Sequence, residues 1–279
     1  MRKIVLASLL VATSSVLVLA CTGVVVTDAS SVIVGGNEDW LRFDSYLWAE
    51  AATDTSYGVV YLGYEIRGDW GHPNYFWYEF HGINDQGLYF DSFGAPCVMP
   101  TSTLLNPNRG EHLMAEAMRT CATVEEAVAL FEGSHLAFMQ CQQFLFVDRH
   151  GSAAVVEGDD TVWMEEGTLV VTNFYLSNPF RGGSPCWRYD QATRMLSQDA
   201  TSTPERVAEI LEAVSHPATR YSIVVDLQGG CGDLYYAHDF TQSVKIDLFA
   251  LAAVGCERTP VQDLVSGETA ALSAFVRSD

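Results

Sequence analysis

Cys21 is the residue in this chain best placed to do chemistry. It follows Val18-Leu19-Ala20 and leads into Thr22-Gly23-Val24-Val25-Val26, so cleavage of the Ala20–Cys21 bond would leave a cysteine carrying both a thiol and a free α-amine. The thiolate is the reactive form of cysteine, and a pKa of about 8.5 leaves the thiol mostly protonated at neutral pH unless a base or a positive group is near. An α-amine, with a pKa of about 7.7–8.0, is neutral in a substantial fraction of molecules and takes that proton. One residue then supplies nucleophile and general base, and the proton is returned to a leaving amine.

That chemistry depends on removal of residues 1–20. They open with Arg2 and Lys3 and continue as an apolar run from Ile4 to Ala20 broken only by Ser8, Thr13, Ser14 and Ser15. A basic start, an apolar middle and small or apolar residues before the cut are the marks of a secretory signal peptide, so the mature chain is expected in the periplasm or outside the cell. An uncleaved anchor is the alternative; it needs ~20 apolar residues, which this run reaches only if its hydroxyl residues are counted. A lipobox at Val18-Leu19-Ala20-Cys21 is another, making the protein a lipid-anchored binding protein without catalysis. Lipoproteins normally place a polar tether after the lipidated cysteine, whereas Cys21 runs straight into a β-branched strand, which favours the catalytic reading. No later stretch is long and apolar enough to span a bilayer.

Residues 21–279 suit a single catalytic domain, and a hydrophobic content of 48% is ample for its core. The net charge of −20, which becomes more negative when Arg2 and Lys3 leave, argues against nucleic acid or anionic lipid as partner. Seven cysteines are an odd number for an exported protein and suggest one thiol set apart. The six besides Cys21 allow up to three bridges of open connectivity, although Cys121 and Cys141, in apolar surroundings, also read as buried small residues. No CxxC or His-rich spacing marks a metal site. The chemistry of Cys21 requires no cofactor.

The elements that must position Cys21 begin with two β-branched runs, Thr22–Val26 and Val32–Gly36, joined by Asp28-Ala29-Ser30 as a hairpin. Further strands are expected at Gly58–Glu65, Phe76–Phe80 and Leu88–Phe93, the last entered through the turn residues Asn84-Asp85-Gln86-Gly87. Two helices follow: Glu111–Cys121, with Leu113, Met114, Ala117 and Met118 on one face, and one opened by the capping box Thr123-x-x-Glu126 and closed at Gly133. Strands resume at Gln143–Val147, Ala153–Glu157 and Leu169–Thr172. Helices are expected at Tyr189–Leu196 and from Thr203-Pro204 to Val214, then strands at Tyr221–Asp226, Asp233–Ala237 and Ser243–Ile246. Runs of strands and helices without regular βαβ alternation predict an α+β fold of largely antiparallel sheets covered by helices.

Cys21-Thr22, followed after the hairpin by Gly35-Gly36-Asn37-Glu38-Asp39-Trp40, resembles the N-terminal nucleophile hydrolases of the choloylglycine hydrolase and penicillin V acylase type. The likeness continues at Gly82-Ile83-Asn84-Asp85-Gln86-Gly87-Leu88, at Val171-Thr172-Asn173 and at Ser184-Pro185-Cys186-Trp187-Arg188-Tyr189. It implies a four-layer αββα sandwich, hydrolysis of a linear amide C–N bond through an acyl-thioester, and a small N-acyl amide as substrate. Carried over residue by residue, it makes Cys21 the nucleophile and Asp39 the carboxylate that orients its α-amine. Asn173 becomes a donor to the oxyanion, and Arg188 the cation at the nucleophile end. The bland alternatives are a solvated turn acid for Asp39, a turn asparagine for Asn173 and a surface ion pair for Arg188. A dipeptidase or an acyltransferase of the same fold fits the same residues.

Two positions depart from the family pattern. Gly36 stands where the family has arginine, and Gly94 stands where bile salt hydrolases place a polar oxyanion side chain, a task the backbone N–H groups of Gly94 or Ala95 could take over. The aromatics Tyr57, Tyr61, Tyr64, Trp70, Tyr75, Phe76, Trp77, Tyr78 and Phe80 read as sheet core more than as an acyl pocket. The seven histidines show no evident partner for Cys21.

Overall fold

The β-branched runs of the sequence become two antiparallel sheets, seen in a computed structural model that describes residues 21–40, 44–66, 76–109, 112–268 and 272–277. The leader, Trp70, Tyr75 and Glu111 lie outside the described residues. The first sheet contains β1 (Thr22–Thr27), β2 (Val32–Asp39), β10 (Thr168–Val171), β11 (Thr219–Asp226), β12 (Cys231–Tyr236) and β13 (Asp239–Asp247), in the order β10-β1-β2-β11-β12-β13. The second runs β14-β3-β4-β5-β6-β7-β8-β9 and is built from β3 (Ser45–Glu50), β4 (Val59–Ile66), β5 (Phe76–Asn84), β6 (Leu88–Gly94), β7 (Gln142–Asp148), β8 (Ala153–Val156), β9 (Thr161–Trp163) and β14 (Cys256–Pro260).

Helices cover both outer faces, giving the expected four layers. On the first sheet lie α3 (Trp187–Gln198) and α4 (Pro204–Val214); Val207, Ile210, Leu211 and Val214 of α4 form one stripe at helical spacing against Val24, Val26, Ile33 and Val224. Thr203 caps α4 by accepting from the Arg206 N–H at 3.3 Å. On the second sheet lie α1 (Leu113–Thr120) and α2 (Val124–Glu132), whose apolar faces meet Phe90, Phe144 and Phe146. Thr123 caps α2, and Glu126 reaches back to the Ala122 N–H at 2.7 Å. Two short helices, α5 (Leu248–Val254) and α6 (Val261–Ser266), add Leu248, Leu251, Val261 and Leu264 to the core between the sheets. No helix among the described residues is long and apolar enough to cross a membrane.

Several sequence expectations change. β2 does not stop at Gly36 but continues through Asn37, which β1 and β11 flank on both sides, to Glu38 and Asp39, which pair with β11 alone. The strands β3, β9 and β14 were not expected: β9 and β14 are short edges, and β3 is buried on both faces over most of its length and so lacks alternation. Of the possible bridges one forms, Cys97–Cys141, so Cys141 is not a buried free thiol, while Cys121 is. The remaining cysteines are reduced, with Cys186, Cys231 and Cys256 on α3's N-cap, β12 and β14.

Close approach of the sheets is set at Gly23. A Cβ there would lie 2.7 Å from Cζ of Phe93 on β6 and 3.3 Å from Leu145 on β7. Gly23→Ala should therefore cost about 1–3 kcal/mol, read as a lowered denaturant midpoint; an unchanged midpoint would show that the sheets are not in contact there. A peptide map of the unreduced protein should contain Cys97–Cys141 as its one linked pair, and any second linkage would contradict this packing.

Candidate active site at the start of β1

Side chains alternate across a strand, and this places Cys21. Val24 and Val26 of β1 face α3 and α4, whereas Cys21 and Val25 lie in the core between the sheets, on the same face as Gly23. On β2, Val32 and Val34 share that inner face with Gly36 and Glu38, and Asn37 and Asp39 point the other way. The Cys21 thiol, 1% exposed, donates to Oε2 of Glu38 at 3.4 Å.

The backbone at Cys21 is held from the helix side. Arg188, in the first turn of α3 and buried, donates through one nitrogen to the Cys21 carbonyl and to the Thr22 hydroxyl at 2.8 Å. Its other nitrogen donates to Oδ1 of Asn173 at 2.8 Å, and its guanidinium lies 4.0 Å from Oδ2 of Asp39. Asn173 donates its side-chain N–H to the Gly94 carbonyl at 2.8 Å. Asp39 accepts from the Thr219 hydroxyl at 2.5 Å through Oδ1, and its Oδ2 lies 3.1 Å from Nε2 of His216. Cys21, Asp39, Asn173 and Arg188, far apart in sequence, therefore meet in one linked polar group.

The bland alternatives are overturned for two of them. Asp39 is the last residue of β2 and buried, not a solvated turn acid, and Arg188 is buried, not a surface partner. The Ala95 N–H is already donated to the Cys141 carbonyl at 2.9 Å, so it is not a spare donor. Glu38 and His216 were missed as neighbours of Cys21 and Asp39. Counting in steps of two from Val34 through Gly36 would have put Glu38 beside Cys21; His216 comes from the α4–β11 connection, and nothing local marks it.

Burial pushes the Cys21 thiol well above its usual range, reinforced by the charges of Glu38 and Asp39; a backbone hydrogen bond from Asp39 pulls the other way. Burial likewise raises Glu38, with Asp91 and Asp39 adding to the shift and the Cys21 thiol opposing it. A resting thiolate is thus disfavoured, and attack by sulfur needs a base that takes the proton as the bond forms.

Next to this group opens a cavity of about 260 Å³ lined by Trp40, Tyr78, Phe80, Ser92, Gly94 and Gln142. Trp40 follows Asp39, and Gly94 carries the carbonyl that holds Asn173, so the cavity adjoins the polar group. A slightly larger hollow, about 310 Å³, opens at Tyr236, Asp239 and Gln262; none of the four nominated residues is in the wall of either cavity, and only the first has neighbours of them in its wall. The aromatic series divides accordingly: Tyr61 packs under α1 and α2, Tyr64 lies in the core between the sheets, and Tyr78 and Phe80 line the cavity.

No protein-family model matches the chain, and no curated protein matches it in sequence. Solved structures do resemble it. A mutant of conjugated bile acid hydrolase from Clostridium perfringens superposes with a TM-score of 0.61 at 14% identity, over 86% of this chain and 96% of that one. Penicillin V acylase from Agrobacterium tumefaciens gives 0.58 at 16% identity, over 81% and 91%. The Caenorhabditis elegans ortholog of N-acylethanolamine-hydrolyzing acid amidase gives 0.53 at 14% identity, over 75% and 93%. The αββα architecture of this chain is the fold shared with these three structures.

Proposed function

We propose that the protein is an exported hydrolase of linear amide C–N bonds, with Cys21 as nucleophile once residues 1–20 are removed. The observation that carries this is the grip of Arg188 on the carbonyl of Cys21, which fixes the start of β1 beside an aromatic cavity. The three structural neighbours are named as a hydrolase, an acylase and an amidase, which supports an acyl amide as substrate. Trp40, Tyr78 and Phe80 suit an apolar acyl group.

In this mechanism the freed α-amine of Cys21 takes the thiol proton as sulfur attacks the amide carbonyl. Oδ2 of Asp39 accepts no hydrogen bond in the described structure and serves to orient that amine. Asn173 uses one side-chain N–H on Gly94, and its second N–H donates to the oxyanion. The tetrahedral intermediate collapses, the C–N bond breaks and the departing amine takes the proton from the α-ammonium. An acyl-thioester remains on Cys21. Water then attacks it, giving its proton to the α-amine, and the carboxylic acid leaves as the thiolate is reprotonated.

A lipidated Cys21 fits poorly, because the sulfur is enclosed between the sheets and hydrogen-bonded to Glu38. Intact-mass and N-terminal peptide analysis of protein from an exporting host should find an unmodified Cys21 as first residue, and Cys21→Ser should lower turnover of N-acyl amides by orders of magnitude with the fold retained. A diacylglyceryl mass, or a retained leader on active protein, would sink the proposal. Replacing Asn173 by alanine should lower kcat by about 10²–10³-fold; a loss confined to thermal stability would remove it from the oxyanion site.

A further inference from the structure

The inner face of β2 brings Glu38 against two side chains of the other sheet. His81 on β5 and Asp91 on β6 are directly opposed in register, so their side chains emerge together toward β2. All three residues are buried, at 0% exposure for Glu38 and Asp91 and 1% for His81. One ligand atom from each lies within 4.8 Å of the others. Two carboxylates facing one imidazole in a dry interior need either a proton or a compensating positive charge.

The hydrogen-bond geometry points to what supplies it. Nε2 of His81 is 3.2 Å from Oδ1 of Asp91, yet the pair is not aligned as a hydrogen bond. Nε2, both carboxylate oxygens of Asp91 and Oε1 of Glu38 are buried with no well-aligned partner; the His81 ring and the Ser92 N–H lie close enough to the Asp91 carboxyl to favour its charged form, without the alignment of full hydrogen bonds. Buried polar atoms left so poorly satisfied are costly, and four of them gathered in one place is what a common cation relieves. Two ligands on one ion with bonds of about 2.1 Å are separated by about 3.0–3.4 Å, which brackets the His81–Asp91 distance.

Room and orientation agree with this. A Cβ on Gly36 would lie 2.5 Å from Oδ2 of Asp91 and 2.5 Å from Nε2 of His81, so any side chain there would fill the space where the ligand atoms converge. Nδ1 of His81 is 2.7 Å from the Tyr221 hydroxyl. With Nδ1–H donated to that oxygen, the lone pair of Nε2 is turned toward the carboxylates, the outer-shell arrangement of metal-binding histidines.

We infer that Glu38, His81 and Asp91 bind a divalent transition-metal ion between the two sheets, through Oε1, Nε2 and the Asp91 carboxylate. One imidazole with two carboxylates suits zinc, manganese or iron(II) and is a poor cage for the all-oxygen preference of calcium or magnesium. The ion cross-links β2 to β5 and β6, and Glu38 bridges it to the Cys21 thiol, which the other oxygen of Glu38 already accepts. Its role is structural and positioning, and it stands whether or not the hydrolase proposal does. Metal-ligand spacing in the sequence gave no warning, since the three ligands come from three strands.

The test is elemental analysis of the full exported chain, produced in medium containing zinc, manganese and iron and purified without chelator or immobilised metal. About one ion per chain is expected, and none in His81→Gln. Gly36→Ala keeps all three ligands and should lose the ion for want of space, while circular dichroism remains native. Should either variant fail to fold, the wild-type chain decides: refolded with Zn²⁺ or Mn²⁺ it should melt at a higher temperature than when refolded with chelator. A metal-free wild-type chain with the same Tm in both conditions would overturn the site and leave a proton shared by the carboxylates in its place. Retention of a stoichiometric ion in both folded variants would overturn it equally.

Discussion

A buried guanidinium survives only if its donors find acceptors, and Arg188 is the cation around which this site is assembled. Its acceptors come from three places: the carbonyl of Cys21 and hydroxyl of Thr22 at the start of β1, the amide oxygen of Asn173 after β10, and, at 4.0 Å, the carboxylate of Asp39 at the end of β2. These ends would otherwise be free to fray, since strand termini have pairing on one side of their length only. A planar fork with five donors reaches such divergent acceptors together; a lysine ammonium, a point charge on a flexible stem, does not.

The strand period explains how one residue is held from two sides. Glu38 and Asp39 are neighbours in sequence and point to opposite faces of β2. Asp39 joins Arg188 and His216 on the helix side, where the backbone of Cys21 is held; Glu38 takes the thiol on the inner side. Hydrogen bonds thus define the direction of the Cys21 main chain and of its sulfur independently. Both depend on β2 running on past β1 to its last residue, which its pairing with β11 carries through Glu38 and Asp39 across a register shift in β11 between Thr219 and Tyr221.

Much of this was legible in sequence, and what was not has physical causes. The β1–β2 hairpin, the capped helices α2 and α4 and most strands follow from local pattern, turn chemistry and caps, which act within a few residues. Cys21 was legible from its place after the apolar leader, Asp39, Asn173 and Arg188 by resemblance to a known family, and the fold brings the four together. Glu38 was overlooked because the two glycines before it read as the end of a strand. His81 and Asp91 were invisible as a pair, since a histidine and an aspartate inside apolar strands mean nothing until the register sets them opposite one another. The Cys97–Cys141 bridge depends on how β6 and β7 align, which cysteine spacing does not encode.

The adjacent glycines at the middle of β2 let the layers on both of its faces approach that strand closely. A Cβ on Gly35 would meet Val207 and Leu211 of α4 at 2.8 and 2.9 Å, and one on Gly36 would meet His81 and Asp91 at 2.5 Å. Neither position can gain volume unless a partner in another layer gives it up, so residue 35 is tied to the helix layer and residue 36 to the opposite sheet. Among relatives of this chain, a larger residue at 36 is therefore expected to travel with smaller or differently charged residues at 81 and 91. Such coupled exchange would let the surroundings of the Cys21 thiol change while Cys21, its main-chain grip and the fold stay constant.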